Sequence, residues 1–232
     1  SYDPAFAYEL VIIVREGIRR MYELQQNLFY YITAYNENYE MPAMPKKKNA
    51  EQGILAGAYH YQSTKSEKSS EIHLLGSGSI MQQVLSAKKK LEDMEFEVSI
   101  WSVTSYNELY RDAEECSRHN RLHPFRKERI PYVQKLFAKT KGVYVATSDY
   151  MKALPNSIAP WMPGNFLILG TDGYGLSESR SDLRQYFEIS SDYICHAALV
   201  GLFRDKKLSS TLLNEKLLNL DVDPEKLNPM DR

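Results

Sequence analysis

The sequence predicts an α/β fold: a sheet of about five mainly parallel strands flanked by helices, preceded by the last helix and strand of another unit. Three observations predict it. From residue 58 onward, short apolar runs alternate with amphipathic helical stretches. That is the pattern of strand–helix units joined by right-handed crossovers. Glycine-rich turns close two of the runs, at Gly76-Ser77-Gly78-Ser79 and at Gly170-Thr171-Asp172-Gly173-Tyr174-Gly175. Before the alternation begins, Met41-Pro42-Ala43-Met44-Pro45-Lys46-Lys47-Lys48-Asn49 interrupts the chain with prolines and lysines that suit a surface linker.

The elements follow in order. Asp3 before Pro4 is a helix-start signal, Asp as N-cap and Pro in the first turn. Phe6, Leu10, Ile13, Gly17 and Met21 then recur at helical spacing. Val11, Ile12 and Val14 make this helix apolar nearly all round, which predicts burial, with one wet edge at Arg15, Glu16, Arg19 and Arg20. The run 28–35 is aromatic and β-branched without alternation, as expected of a strand covered on both faces. Residues 1–40 therefore read as the tail of one domain, 41–54 as a linker, and 55–232 as a second domain. In that domain, strands are expected at 58–62, 71–76, 97–104, 142–147 and 165–170, with a polar loop at 63–70. Ile80, Val84, Ala87, Leu91 and Met94 form one helical stripe. Further helices are expected at 106–118, from Tyr150, and at 181–188, 192–203 and 209–220.

Composition narrows the function. Lys+Arg 29 against Asp+Glu 30 gives a net charge of -1, which speaks against a dedicated nucleic-acid binder. No apolar run is long enough to predict a membrane span. The two cysteines, Cys116 and Cys195, lie far apart and fit buried thiols in a reducing compartment. The chain opens on Ser1-Tyr2-Asp3-Pro4 without an initiator Met and reads as one cut in mid-protein.

The motifs leave alternatives open. Gly76 to Ser79 offers backbone N–H groups to an anion, but the third glycine of a dinucleotide fingerprint is absent, since position 81 is Met. A tight strand–helix turn is the favoured reading. Asp172 stands without a second acidic group at a useful spacing, so its loop reads as a turn or cleft wall rather than a magnesium site. Of His60, His73, His119, His123 and His196, the nearest pair is His119 and His123, and Pro124 stops the helix there, so no metal site is indicated. Five basic residues between Arg118 and Arg129 suit a solvated face or a salt-bridge patch. The densest polar cluster is Asn36-Glu37-Asn38-Tyr39-Glu40. It either holds or protonates a ligand at a strand end or forms a capped turn into the linker.

These segments carry a resemblance. Ser1-Tyr2-Asp3-Pro4-Ala5-Phe6-Ala7-Tyr8-Glu9, Asn36-Glu37-Asn38-Tyr39 and Met41-Pro42-Ala43-Met44-Pro45 resemble the pyrimidine-binding domain and linker of homodimeric-type pyruvate dehydrogenases. Leu74-Leu75-Gly76-Ser77-Gly78-Ser79-Ile80, Thr147-Ser148-Asp149-Tyr150-Met151-Lys152 and the block from Leu169 to Gly175 are similar to the C-terminal, transketolase-like domain of that family. The resemblance implies an oxidoreductase, bacterial and cytoplasmic, that decarboxylates pyruvate on thiamine diphosphate with Mg²⁺. It passes the acetyl group to the lipoyl arm of dihydrolipoyl acetyltransferase, which works with dihydrolipoyl dehydrogenase. It further implies a homodimer, with the diphosphate and Mg²⁺ site on residues preceding this chain, so no cofactor is expected on these residues and the chain alone is expected to be inactive. By the same resemblance, Tyr2 and Glu37 fall in the active-site region. Glu40 stands where the family commonly has a histidine, and a carboxylate titrates well below an imidazole. Other readings are a non-catalytic α/β assembly or anion-binding module, and a related 2-oxo acid dehydrogenase or transketolase.

Overall fold

A computed structural model describes residues 1–47, 49–66 and 71–231. Lys48, within the expected linker, and residues 67–70, within the expected polar loop, lie outside them. Five strands form one sheet: β1 (Ala58–Ser63), β2 (Ile72–Gly76), β3 (Val98–Val103), β4 (Val143–Thr147) and β5 (Asn165–Leu169). Their order is β1-β3-β2-β4-β5. Only β1, at the edge, runs antiparallel, and a register shift between His60 and Gln62 interrupts its pairing with β3. The other pairs are parallel, with Leu74 set against Ile100 on one side and Val145 on the other. All five predicted strands are present.

Alternation along the strands divides the core in two. Ile72, Leu74, Ile100, Val143 and Val145 face one layer, covered by α3 (Met81–Asp93) and α8 (Ser191–Arg204). The predicted stripe Val84, Ala87, Leu91 is the buried face of α3. Leu75, Trp101, Val103, Tyr144 and Ala146 face the other layer, covered by α4 (Tyr106–Leu122) and α5 (Tyr132–Phe137). The central strands are therefore buried on both faces, as parallel strands between helices are. Gly201 brings α8 against the sheet: a Cβ there would stand 2.4 Å from Val143 Cγ1. Cys116 and Cys195 are both buried free thiols. Two shorter helices, α6 (Ala153–Asn156) and α7 (Arg180–Tyr186), follow β4 and β5, and α9 (Ser210–Leu217) follows α8. Among the described residues no helix is long and apolar enough to cross a membrane.

The first forty residues depart from the sequence expectation in three ways. Helix α1 spans Ala7–Ile18 with Phe6 as its N-cap, not Asp3. The Asp3 carboxylate instead accepts Thr33 Oγ1 and the Tyr150 hydroxyl, while Glu9 accepts the N–H groups of Ala5 and Phe6 at the helix start. Nor is α1 buried all round. Ile12 and Ile13 are inside, but Val11 is 62% and Ile18 51% exposed, and Met21 falls in a π-helical turn, Arg19–Glu23. The run 28–35 is not a strand. It touches one residue in ladder fashion, Tyr2 opposite Ile32, because no neighbouring strand lies beside it for a ladder to extend.

Three smaller differences concern helices. A helix of seven residues, α2 (Ala50–Ala56), crosses the end of the expected linker. The helical stretch expected from Tyr150 starts only at Ala153, since Tyr150 is turned toward Asp3. Helix α5 was not anticipated; it is one and a half turns long, held by buried Val133 and Phe137.

The first segment is bound to the sheet through Glu9. It is fully buried. Besides the Ala5 and Phe6 amides it accepts the Tyr59 hydroxyl at 2.6 Å and Ser102 Oγ at 2.6 Å. Burial pushes its pKa up, against the pull of those hydrogen bonds. Tyr2, Ile12 and Ile13 share a small core with Ala50, Ile54 and Tyr59, so α1 lies on α2 and β1.

Candidate functional site

Parallel α/β sheets place ligands beyond the carboxyl ends of their strands. Here the ends of β2, β4 and β5 deliver Ser79, Asp149 and Thr171 to one cleft of about 230 Å³, walled further by Tyr35, Arg180 and Arg184. Each side chain arrives for a local reason. After β2 the chain turns through Gly78 at φ +50°, where a Cβ would meet the Tyr35 ring at 2.7 Å. The turn is thus filled by Tyr35, and the Gly78 N–H donates to Asp3 O at 3.1 Å, which fits the tight-turn reading of Gly76 to Ser79. Ser79 Oγ donates to Asp149 Oδ2 at 3.0 Å. Thr171 donates to Asp149 O at 2.5 Å, tying the β5 exit to the β4 exit.

Burial raises the pKa of the Asp149 carboxyl. The Ser79 hydrogen bond and nearby Arg184 oppose that rise, while Glu37 and Asp3 add to it. Desolvation likewise raises the Tyr35 hydroxyl, with Asp149 next in effect. Helix α7, started by Ser179 accepting the Asp182 N–H, presents two guanidinium groups to the turn 36–40. Arg184 holds Glu37 bidentately, Nη1 to Oε1 at 3.1 Å and Nη2 to Oε2 at 2.6 Å. Arg180 donates to Asn36 Oδ1 at 2.5 Å and stands 3.9 Å from Glu37. The Tyr39 hydroxyl donates to Ala5 O at 2.7 Å, and burial pushes its pKa up to about 12.

The three sequence-derived candidates meet different partners. Glu37 is clamped by α7. Tyr2 is 5% exposed, stacks on Tyr30 at 5.8 Å, and donates its hydroxyl to Leu55 O at 2.9 Å. Glu40 is exposed. Sequence reasoning missed Asp149 and Arg184. Asp149 had a usable signal, an acid two residues past a predicted parallel strand. Arg184 had none, because its partner lies 147 residues away.

As a holder for a cation, this site is poor. Asp172 accepts the Lys152 N–H at 2.9 Å and lies 3.6 Å from its ammonium. Among the described residues no group of three or more His, Cys, Asp or Glu is placed to hold a metal ion. Magnesium demands clustered oxygen ligands, and the residues present do not offer them. What the cleft does supply is a half-buried carboxyl and two arginines, the latter fixing the turn 36–40 in one orientation.

The sheet order, the single antiparallel edge and the strand-end cleft define an α/β domain of the transketolase C-terminal type. A crystal structure of transketolase from Pichia stipitis aligns with a TM-score of 0.57 over 90% of this chain and 27% of that one; at 13% identity this likeness is one of fold. The family described as transketolase-like TK C-terminal domain matches residues 57–190, and the chain belongs to it. The pyruvate dehydrogenase E1 component middle domain matches residues 1–42. The pyruvate dehydrogenase E1 component of Pseudomonas aeruginosa is 43% identical over 100% of this chain and 26% of its own length. That of Escherichia coli K12 is 40% identical over 99% and 26%; that of Mycolicibacterium smegmatis is 38% identical over 96% and 24%. The chain thus spans about a quarter of the length of these relatives.

Proposed function

We propose that these residues serve as part of a pyruvate dehydrogenase E1 component, acetyl-transferring, that decarboxylates pyruvate with thiamine diphosphate and Mg²⁺. The observation that carries this reading is the end-to-end relation to E1 components, with a middle-domain match at 1–42 followed in order by a C-terminal-domain match at 57–190. Its division into 1–40, a linker 41–54 and a domain 55–232 belongs to the same reading. So do the homodimer, the cytoplasmic location, and the partners dihydrolipoyl acetyltransferase and dihydrolipoyl dehydrogenase.

On this reading the diphosphate and Mg²⁺ are held by residues outside this chain. The 55–232 domain serves assembly, and through Arg184 it fixes the turn 36–40 as one edge of the active-site cleft. Glu37 is oriented by its two hydrogen bonds. Glu40 is exposed and free to face substrate, while Tyr2 ties the start of the chain to α2 through Leu55. The test is release of labelled carbon dioxide from carboxyl-labelled pyruvate, with thiamine diphosphate and Mg²⁺ present. A longer chain of E1 length containing these residues is expected to turn over and the 232-residue chain is not. Failure of the longer chain overturns the function; turnover by the short one overturns its inactivity.

A further inference from the structure

A second concavity lies where α2, β1 and α5 meet, independent of the E1 reading. Its volume is about 740 Å³, within the range of small-molecule sites. Its polar lining is Lys47, Asn49, Gln52, His60, Tyr132 and Lys135. The lining carries two ammonium groups and no carboxylate, in a chain whose net charge is -1. A one-signed lining in a concave wall concentrates the opposite charge.

The two cations are held in different ways. Lys47 Nζ meets His60 Nδ1. Burial, and then Lys47 itself, push the His60 ring down to about 4, so at neutral pH the imidazole is uncharged and accepts from the ammonium. Lys135 is carried by α5, whose Tyr132 hydroxyl is anchored on Ala58 O at 2.8 Å. Lys47, Asn49, Gln52 and Lys135 are all exposed at the rim, open to a ligand from solvent. Tyr59 and Leu136 add apolar wall between them.

We propose that this concavity binds a small phosphate-bearing anion, with Lys47 and Lys135 as its charge partners and the Asn49 and Gln52 amides as further donors. The donor set decides the class. A planar carboxylate is matched by the rigid fork of an arginine, as Glu37 is by Arg184 here. Two lysine point charges, each with several rotatable donors, suit a compact anion with many oxygens.

Calorimetric titration of the 232-residue chain with pyrophosphate tests this, with inorganic phosphate and succinate as parallel titrants. One saturable site is expected, tighter for pyrophosphate than for phosphate and weakened by added salt. The Lys47→Met and Lys135→Met single variants each lose about tenfold in affinity, roughly the worth of one charge-assisted hydrogen bond, and the double variant loses saturable binding. Lys139→Met, an exposed lysine outside the lining, retains it. Circular dichroism confirms that each variant is folded. Absence of saturable binding by the unmodified chain, equal binding by the folded double variant, or succinate binding as tightly as pyrophosphate each overturns the proposal.

Discussion

Arg184 and Glu37, 147 residues apart, face each other as a two-pronged ion pair with side chains only 12% and 19% exposed. The pair joins the first helix after the last strand to a turn in the first forty residues. Arg184→Ala leaves a largely buried carboxylate without its donor, and urea denaturation is expected to show a loss of about 2 kcal/mol. Arg184→Lys keeps the charge but not the fork and should lose less. Equal losses for both variants would show that the fork geometry carries the effect and the bare charge adds nothing.

Glu9 gives a pH-dependent prediction. Its folded pKa is raised by burial, so its contribution to stability is present below the ordinary carboxylate range and is lost as pH rises through the folded value. In Glu9→Gln this dependence disappears, since the amide does not ionise. The Gln oxygen can still accept from the Ala5 and Phe6 amides, and the Tyr59 and Ser102 hydroxyls can turn to accept from its NH₂. Glu9→Ala leaves the Ala5 and Phe6 amides and the Ser102 hydroxyl buried without this acceptor, while Tyr59 keeps its Tyr8 partner, and is expected to cost about 3 kcal/mol. Thermal melts of the three proteins from acid to neutral pH decide it.

Ser79→Ala tests the cleft. The Ser79 hydroxyl is the first influence that lowers the raised Asp149 pKa. Removing it should move the Asp149 titration still higher, read from its side-chain carboxyl carbon by NMR. No movement would mean that the two groups are not bonded in solution.

Gly201→Ala probes the close approach of α8 to the sheet. The added methyl meets Val143 Cγ1 at 2.4 Å and Leu167 Cδ1 at 3.0 Å, so a branched, buried side chain on a central strand must shift. Overpacking of this kind costs about 1–3 kcal/mol, although alanine is otherwise the better helix former. A melting temperature equal to that of the parent chain would contradict the packing.

The sequence by itself determined the strands. Runs such as Ile72-His73-Leu74-Leu75-Gly76 and Val143-Tyr144-Val145-Ala146-Thr147 become strands because β-branched and apolar residues between two helix layers satisfy both burial and the ladder. Helix α3 was legible from one stripe for the same local reason, periodicity. Glu37 stands out in the polar cluster 36–40 as well as by resemblance, and Tyr2 by resemblance alone. Tertiary structure alone decided the rest. Whether 28–35 pairs as a strand depends on a neighbour, and Tyr2 supplies a single bridge. Where α1 begins depends on what Asp3 does, and Thr33 and Tyr150 claim its carboxylate. That Glu9 is buried, that β1 runs antiparallel, and that Arg184 holds Glu37 all rest on contacts between residues far apart in sequence. Such contacts leave no period in the chain, because the energy of a hydrogen bond or ion pair depends on where the fold brings its two ends together.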